Sequence, residues 1–313
     1  MSIPDLVIKI RIIAHIVNQN TMKLLNISSL KKNTLFRFLF YPFILARRIY
    51  FRQPKKYFCE LLFSNVKEGS LVVTINDIPG SFEIDARSYI LQRILSTKEF
   101  EEKTVRSIKK YININKDAVN IGANVGIFSV LMAQLISETQ KVLSIEPTPL
   151  AFKYLKQNIE RNGVSNKILL YNGICTDKAG TYDINTIIGK EEYSSIGNSI
   201  FMEDMTESII KIQVPGETVD NLIAKFTLNP GLMVIDVEGA EMKVLNGAGK
   251  MLREFKPIIL LELHGDILIN QQSSSAEVID FLNNLGYRIT NLNVNRKIKH
   301  PFTGHILAFP SEE

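Results

Sequence analysis

From about residue 111 onward, short apolar runs alternate with stretches whose apolar residues recur every three or four positions. The first run predicts a buried strand at 118–121, interrupted only by Asn120, and the spacing that follows predicts a helix over 127–136. Further strands are expected at 141–145 and 167–171, separated by a helix in which Phe152, Leu155 and Ile159 share a face. Thr148 and Pro149 supply that helix with an N-cap and a first residue, and Asn162-Gly163 closes it. Strands at 231–237 and 257–263 come next, with helices at 218–226, 240–255 and 274–285, then a hairpin of 286–290 and 304–309. Strands alternating with helices in this way predict an α/β fold: a doubly wound, Rossmann-like sheet, mostly parallel, with a terminal antiparallel hairpin.

The pattern before residue 111 is different. Residues 5–57 read as helical segments broken near 26–29 and at Pro42. Strands are expected at 70–76 and 81–84 around a turn at Asp77-Ile78-Pro79-Gly80, followed by a charged helix over 96–111. Residues 178–208 are polar and irregular, long enough for a lid or a substrate loop, and 210–214 reads as an edge strand. The chain therefore divides into an arm at 1–60, a small strand and helix lead-in at 61–110 and a main domain at 111–313.

Charge sharpens that division. Residues 1–57 hold eleven Lys or Arg and one acid, Asp5, for a net +10, which leaves −5 on the remainder of a chain whose total is +5. A basic helical arm on a mildly acidic body suits an anionic partner, and the competing reading is a solvated helical face. Within 35–52, Phe36, Phe38, Phe40, Tyr41 and Phe43 lie among Arg37, Arg47, Arg48 and Arg52, as in a helix lying at a membrane interface or packed on the main domain. The longest uncharged apolar run there, 38–46, contains Pro42 and is far short of the roughly 20 residues a span requires. The N-terminus lacks the order of a secretory signal, and two unpaired cysteines, Cys59 and Cys175, fit a reducing compartment. The expectation is a cytoplasmic protein, with peripheral contact at the inner membrane face as a candidate role for residues 1–57.

Candidate chemistry gathers at predicted strand ends. Residues 117–126 run from a strand through Gly122 and Gly126 into a helix, which brings backbone N–H groups and a positive helix end to one point. Glu146 lies 24 residues after Gly122 at the tip of the next strand, where a carboxylate can accept hydrogen bonds from ribose hydroxyls. Asp236 and Glu238 end the fourth main strand, and Glu262 and His264 the fifth, so all would face the same crevice. Asp236 could take a proton or hold a metal, and a His near neutral pH could act as base or hydroxyl orienter. Glu241 is explained as an acid in the first turn of a helix. No Gly-Lys-Ser/Thr loop is present, which disfavours ATP hydrolysis, and the incomplete Gly-x-Gly-x-x-Gly weakens a nicotinamide reading.

Residues 97–309 resemble the FkbM family of S-adenosylmethionine-dependent methyltransferases. The likeness rests on Asn120-Ile121-Gly122-Ala123-Asn124-Val125-Gly126, Ile145-Glu146-Pro147, Val219-Asp220, the string from Asp236 to Glu241 with Val244-Leu245 and Gly247-Ala248, and Glu262-Leu263-His264. It implies a class I methyltransferase sheet and S-adenosylmethionine held by Asn120, Gly122, Ala123, Asn124, Gly126, Glu146, Pro147 and Asn172. Methyl transfer to a hydroxyl of a sugar, glycan or glycosylated natural product is implied too, with Asp236, Glu238 and His264 catalytic and magnesium a candidate at Asp236. Two positions depart from the family pattern. Asn120 stands where an acid usually orders the loop and the cofactor's methionine end, and Val234 where a Lys is common. These departures keep open a non-catalytic binding or scaffold protein. A nucleic-acid methyltransferase is disfavoured, because Asp236-Val237-Glu238-Gly239 replaces the Asn/Asp-Pro-Pro-aromatic string of amino-methylating types.

Overall fold

The computed structural model describes residues 68–196, 209–292 and 298–311. All lie in a compact unit spanning Phe58–Glu313. The helical segments and interfacial stretch expected within 1–57 fall outside the described residues.

The chain enters through a hairpin, β1 (Ser70–Ile75) and β2 (Ile78–Asp85), and two helices, α1 (Tyr89–Thr97) and α2 (Glu102–Tyr111). The main alternation follows as β3 (Asp117–Ile121), α3 (Ile127–Leu135), β4 (Val142–Ile145), α4 (Pro149–Arg161) and β5 (Ile168–Tyr171). An insertion comes next: β6 (Ile174–Cys175), β7 (Gly180–Ile187), β8 (Ser195–Ile196) and β9 (Ile209–Glu217). The alternation then resumes with α5 (Val219–Phe226), β10 (Pro230–Ile235), α6 (Glu241–Asn246), α7 (Gly249–Phe255), β11 (Ile258–His264), a short α8 (Gly265–Leu268) and α9 (Ser275–Asn284). The last strands are β12 (Tyr287–Asn291) and β13 (Thr303–Pro310).

Seven strands form the central sheet in the order β12-β13-β11-β10-β3-β4-β5. β3 pairs in parallel with both β4 and β10, and β13 runs antiparallel to its neighbours β11 and β12. The sheet is thus doubly wound and mostly parallel, with the terminal hairpin that the sequence predicts. Alternate side chains of each central strand enter opposite cores. Ala118, Val142 and Val234 pack with α3 and α4, while Val119, Ile121, Leu143 and Ile235 pack with α5, α6 and α7. The order in which strands are added reverses between β3 and β10, which opens a crevice at their carboxyl ends.

Four local expectations need correction, one being the helix over 240–255, which is the two helices α6 and α7 parted at Gly247-Ala248. The first hairpin turns at Asn76-Asp77, with Asp77 at φ 62, and Pro79-Gly80 lie inside β2. A two-residue hairpin needs positive φ, which Asp adopts more readily than most residues. The charged helix expected over 96–111 is two helices, because the backbone turns left-handed at Lys98 and Glu101. The described part of 178–208 is largely extended rather than irregular, with β7 paired to β9 along its full length. β9 is a central strand of the four-stranded insertion sheet β6-β9-β7-β8, not an edge.

The hairpin is fastened to α4 by two asparagines. Asn158 accepts from the Glu83 N–H at 2.6 Å and donates to the Glu83 and Val125 carbonyls at 3.0 and 2.8 Å. Asn162 brackets Ser81 in the same way, accepting at 3.1 Å and donating at 2.9 Å. These bonds fix the chain that leads into α1 on the cavity wall.

Candidate active site

A cavity of about 370 Å³ opens at the carboxyl ends of β3, β4, β10 and β11, walled by α1 and the insertion. Gly122, Ala123, Asn124, Glu146 and Pro147 line one part. Glu101, Asp236, Glu238 and Glu262 line another, with Arg93 close by.

The glycine turn is built by close approach. The N–H groups of Gly122 and Ala123 both donate to the Ile145 carbonyl, at 3.0 and 2.8 Å, which folds the turn over the end of β4. Gly122 has φ +81, and a Cβ there would lie 1.7 Å from the Asp236 carbonyl oxygen. Only glycine lets β3 and β10 meet this tightly at the crevice. Asn124 is left-handed at φ 47, and its N–H donates to Glu146 Oε2 at 2.8 Å. Glu146 Oε1 accepts from Thr148 N–H and Oγ1 at 2.9 and 2.6 Å. Burial holds the Glu146 carboxyl above its ordinary value, against the pull of these three bonds. Its oxygens retain lone pairs for a ribose, so turn and carboxylate fit the nucleoside part of S-adenosylmethionine.

Three expected cofactor residues, Asn120, Gly126 and Asn172, do not line the cavity. Asn120 is buried and donates to Ser129 Oγ at 2.8 Å, and Ser144 bonds the same oxygen at 2.8 Å. Its side chain joins β3 to α3 and β4 beneath the turn. Asn172 donates to the carbonyls of Glu146 and Pro147 at 2.8 and 3.2 Å and so braces the β4 corner. Gly126, at φ +88, lies against Leu155, where a Cβ would approach to 2.6 Å. All three support the turn from outside. Val234, where the family pattern has a Lys, is a buried core residue.

Across the cavity, the expected catalytic residues come together. Asp236 Oδ1 is shut off from solvent and has no hydrogen bond. Glu238 is left-handed at φ 46, a costly conformation for a glutamate that aims its side chain back into the crevice. His264 is buried, with Nε2 3.5 Å from Glu238 Oε2 and 3.9 Å from both Asp236 Oδ1 and Glu262 Oε1. Behind it, the wholly buried Glu241 accepts the Nδ1 proton at 2.7 Å and the His264 and Gly239 backbone N–H groups at 3.2 Å each.

Electrostatics follow from that crowding. Burial, then the charge of Glu262, holds Asp236 well above the usual carboxylate range. Burial pushes Glu238 up to about 7, with His264 opposing and Glu262 and Glu241 reinforcing it. For His264, burial alone would favour the neutral ring. The Glu241 hydrogen bond and the charges of Glu238 and Asp236 outweigh it and raise the imidazole to about 10. This setting favours the imidazolium over a base poised near neutrality.

The sequence reading passes over three contributors. Glu101 and His305 join at 3.2 Å, and His305 donates to Glu262 Oε2 at 3.1 Å. Glu241, read as a helix-dipole acid, is the partner of His264. His305 stands among the alternating residues of a strand, where an imidazole facing inward is a usable signal. Glu101 carries no signal, because its contact spans 204 positions.

The geometry accords with one family model. The description methyltransferase FkbM domain matches residues 120–289. The chain belongs to the FkbM methyltransferase family. Methyltransferase sdnD of Sordaria araneosa is 22% identical over 202 residues, 56% of this chain and 78% of that protein. A crystal structure of methyltransferase FkbM from Methylobacillus flagellatus KT is 15% identical at TM-score 0.42; the match covers 63% of this chain and 44% of that one, less than half its length. TYW2 of M. jannaschii, solved in complex with AdoMet, is 15% identical at TM-score 0.38, with 78% and 85% covered. Among the described residues, no helix of this FkbM-family chain is long and apolar enough to cross a membrane.

Proposed function

We propose that this FkbM-family chain is an S-adenosylmethionine-dependent O-methyltransferase whose acceptor is a hydroxyl of a sugar, glycan or glycosylated natural product. The observation that carries this reading is Asp236, a carboxyl lining the cavity beside the glycine turn, whose Oδ1 is buried without a hydrogen bond. Bound against Gly122 and Glu146, S-adenosylmethionine supplies a methyl group that is already activated for transfer. What remains for the protein is alignment and proton removal. Glu146 and the turn fix the nucleoside end. Ionised Asp236, a stronger base for its burial, accepts a hydrogen bond from the acceptor hydroxyl and takes its proton as the oxygen is methylated, with Glu238 beside it. The His264 imidazolium, held by Glu241, faces these carboxylates and offsets their mutual repulsion. The carboxylate-rich wall around Asp236 favours a polyhydroxylated acceptor over a phosphorylated one.

Isothermal titration with S-adenosylmethionine tests the reading. Glu146→Ala should weaken binding by about 1.5–3 kcal/mol, the range for hydrogen bonds to a charged group. Asp236→Asn should bind S-adenosylmethionine as the parent does and lose methyl transfer to hydroxyl acceptors. A parent protein that binds no S-adenosylmethionine would favour the scaffold reading, and an unchanged affinity in Glu146→Ala would remove the turn as its site.

A further inference from the structure

We infer that Asp236, Glu262 and His264 form a binding site for a divalent first-row transition metal ion. One oxygen or nitrogen from each lies within 4.8 Å of the others at the cavity wall. Ligand atoms held at about 2.1 Å from one ion stand roughly 3.0–4.2 Å apart, so small side-chain rotations would close this ring around an ion.

Two features separate it from an ordinary acidic patch. The first is His264, whose side chain is only 8% exposed and points Nε2 at the ring without a hydrogen bond there. Its carboxylate neighbours stand at 3.5–3.9 Å, outside the spacing of charge-assisted hydrogen bonds. Asp236 Oδ1, closed to solvent and also without a hydrogen bond, stands 3.9 Å from that nitrogen.

The second feature is the support behind the donors. Metal-ligating histidines almost always give their other ring N–H to a carboxylate, which fixes the ring and strengthens the free nitrogen as a donor. Glu241 does this for His264 at 2.7 Å, from a position with no solvent exposure. Glu262 is steadied in the same manner: Oε2 accepts from His305 at 3.1 Å, which leaves Oε1 on the His264 side. The same His305 Nε2 lies 3.2 Å from Glu101 Oε2, so its N–H is shared between the two carboxylates. Glu238, 3.5 Å from His264 Nε2, lies outside the triad.

The donor set selects the ion. Magnesium favours oxygen donors and retained water, whereas one imidazole with two carboxylates suits manganese, iron, cobalt or zinc. The inference goes beyond the proposed methyl transfer and does not rest on it: the ion displaces the Nε2 proton of the His264 imidazolium and takes over its offset of the carboxylate charges, so affinity rises with pH.

The test uses the full chain, stripped with EDTA and dialysed separately against Mn²⁺, Co²⁺ and Zn²⁺ without S-adenosylmethionine or acceptor. Elemental analysis should find one ion per chain. Glu262→Gln and His264→Asn should each weaken binding at least tenfold, and Glu241→Gln roughly 10–100-fold. Glu192→Gln, which alters an acid elsewhere on the cavity wall, should leave affinity unchanged. Pulsed EPR of Mn²⁺ on the unaltered chain should show coupling to an imidazole nitrogen, a readout that needs no variant to fold. Failure of all three metals to bind, binding that survives both ligand substitutions, or a missing nitrogen coupling would overturn the site. Metal binding without S-adenosylmethionine binding would sustain it and count only against methyl transfer.

Discussion

Asn120 sits where the family pattern has an acid, and its surroundings decide what an acid would do there. The side chain is 1% exposed and bonds a serine hydroxyl that Ser144 also bonds, away from the cavity lining. A carboxylate would lose its hydration and the donor that now reaches Ser129. Asn120→Asp should therefore cost about 1–3 kcal/mol of stability and leave S-adenosylmethionine affinity no tighter, as checked by urea unfolding and calorimetric titration. Gly122, Glu146 and Asp236 were legible because a strand, a glycine turn and a strand-end acid fix position with little help from the rest of the chain. Asn120 and Asn172 carry polar groups at equally suitable places, yet Asn120 turns inward to Ser129 and the exposed Asn172 braces the backbone of the β4 corner. Sequence position places a residue at the crevice edge, and only packing decides which way its side chain points.

Strand and helix identities came through where periodicity was long and both faces of the sheet were covered. They blurred where a single residue decides the backbone. One left-handed residue at each of Lys98 and Glu101 splits the helix expected over 96–111, and that break sets Glu101 at the cavity. The insertion looks irregular in sequence because its strands pair with each other across a polar surface and, among the described residues, bury Ile174, Ile184 and Val214 in a small core of their own. It is nevertheless joined to α1. Glu192 accepts from the Tyr89 N–H at 2.7 Å, at the start of that helix. Burial pushes its carboxyl up to about 7, against its bonds to Tyr89 and Ser88. The folded chain then binds this proton more tightly than the unfolded one does. The contribution to stability is most favourable below the ordinary carboxylate value, falls as pH rises to about 7, and is level above. Glu192→Gln should remove that fall. Urea unfolding at pH 5 and pH 8 should show the parent losing up to about 3 kcal/mol relative to the variant. Equal pH dependence in the two proteins would place the ionised carboxylate comfortably at the α1 N-terminus.

At the scale of the whole chain, charge is divided by sequence position: +10 within residues 1–57 and −5 over the rest. The acids of the second part line a cavity, with Glu101, Asp236, Glu238 and Glu262 among them. A body of that sign is repelled by an anionic bilayer, so attraction to one must come from the first 57 residues. Basic residues close to such a surface contribute about 1 kcal/mol each, and the aromatic residues among Arg37, Arg47, Arg48 and Arg52 add apolar anchoring. The expected outcome is that the full chain floats with vesicles containing phosphatidylserine at low salt and much less with phosphatidylcholine alone. Screening should release most of it at high salt, because the electrostatic share falls off within a Debye length. Replacing Arg47 and Arg48 by Glu reverses two of the charges and should weaken flotation without touching any cavity residue. If the parent fails to float on anionic vesicles at low salt, the basic segment serves contacts within or between protein chains. Its aromatic residues would then be packing residues, and the acceptor would have to reach the cavity from solution.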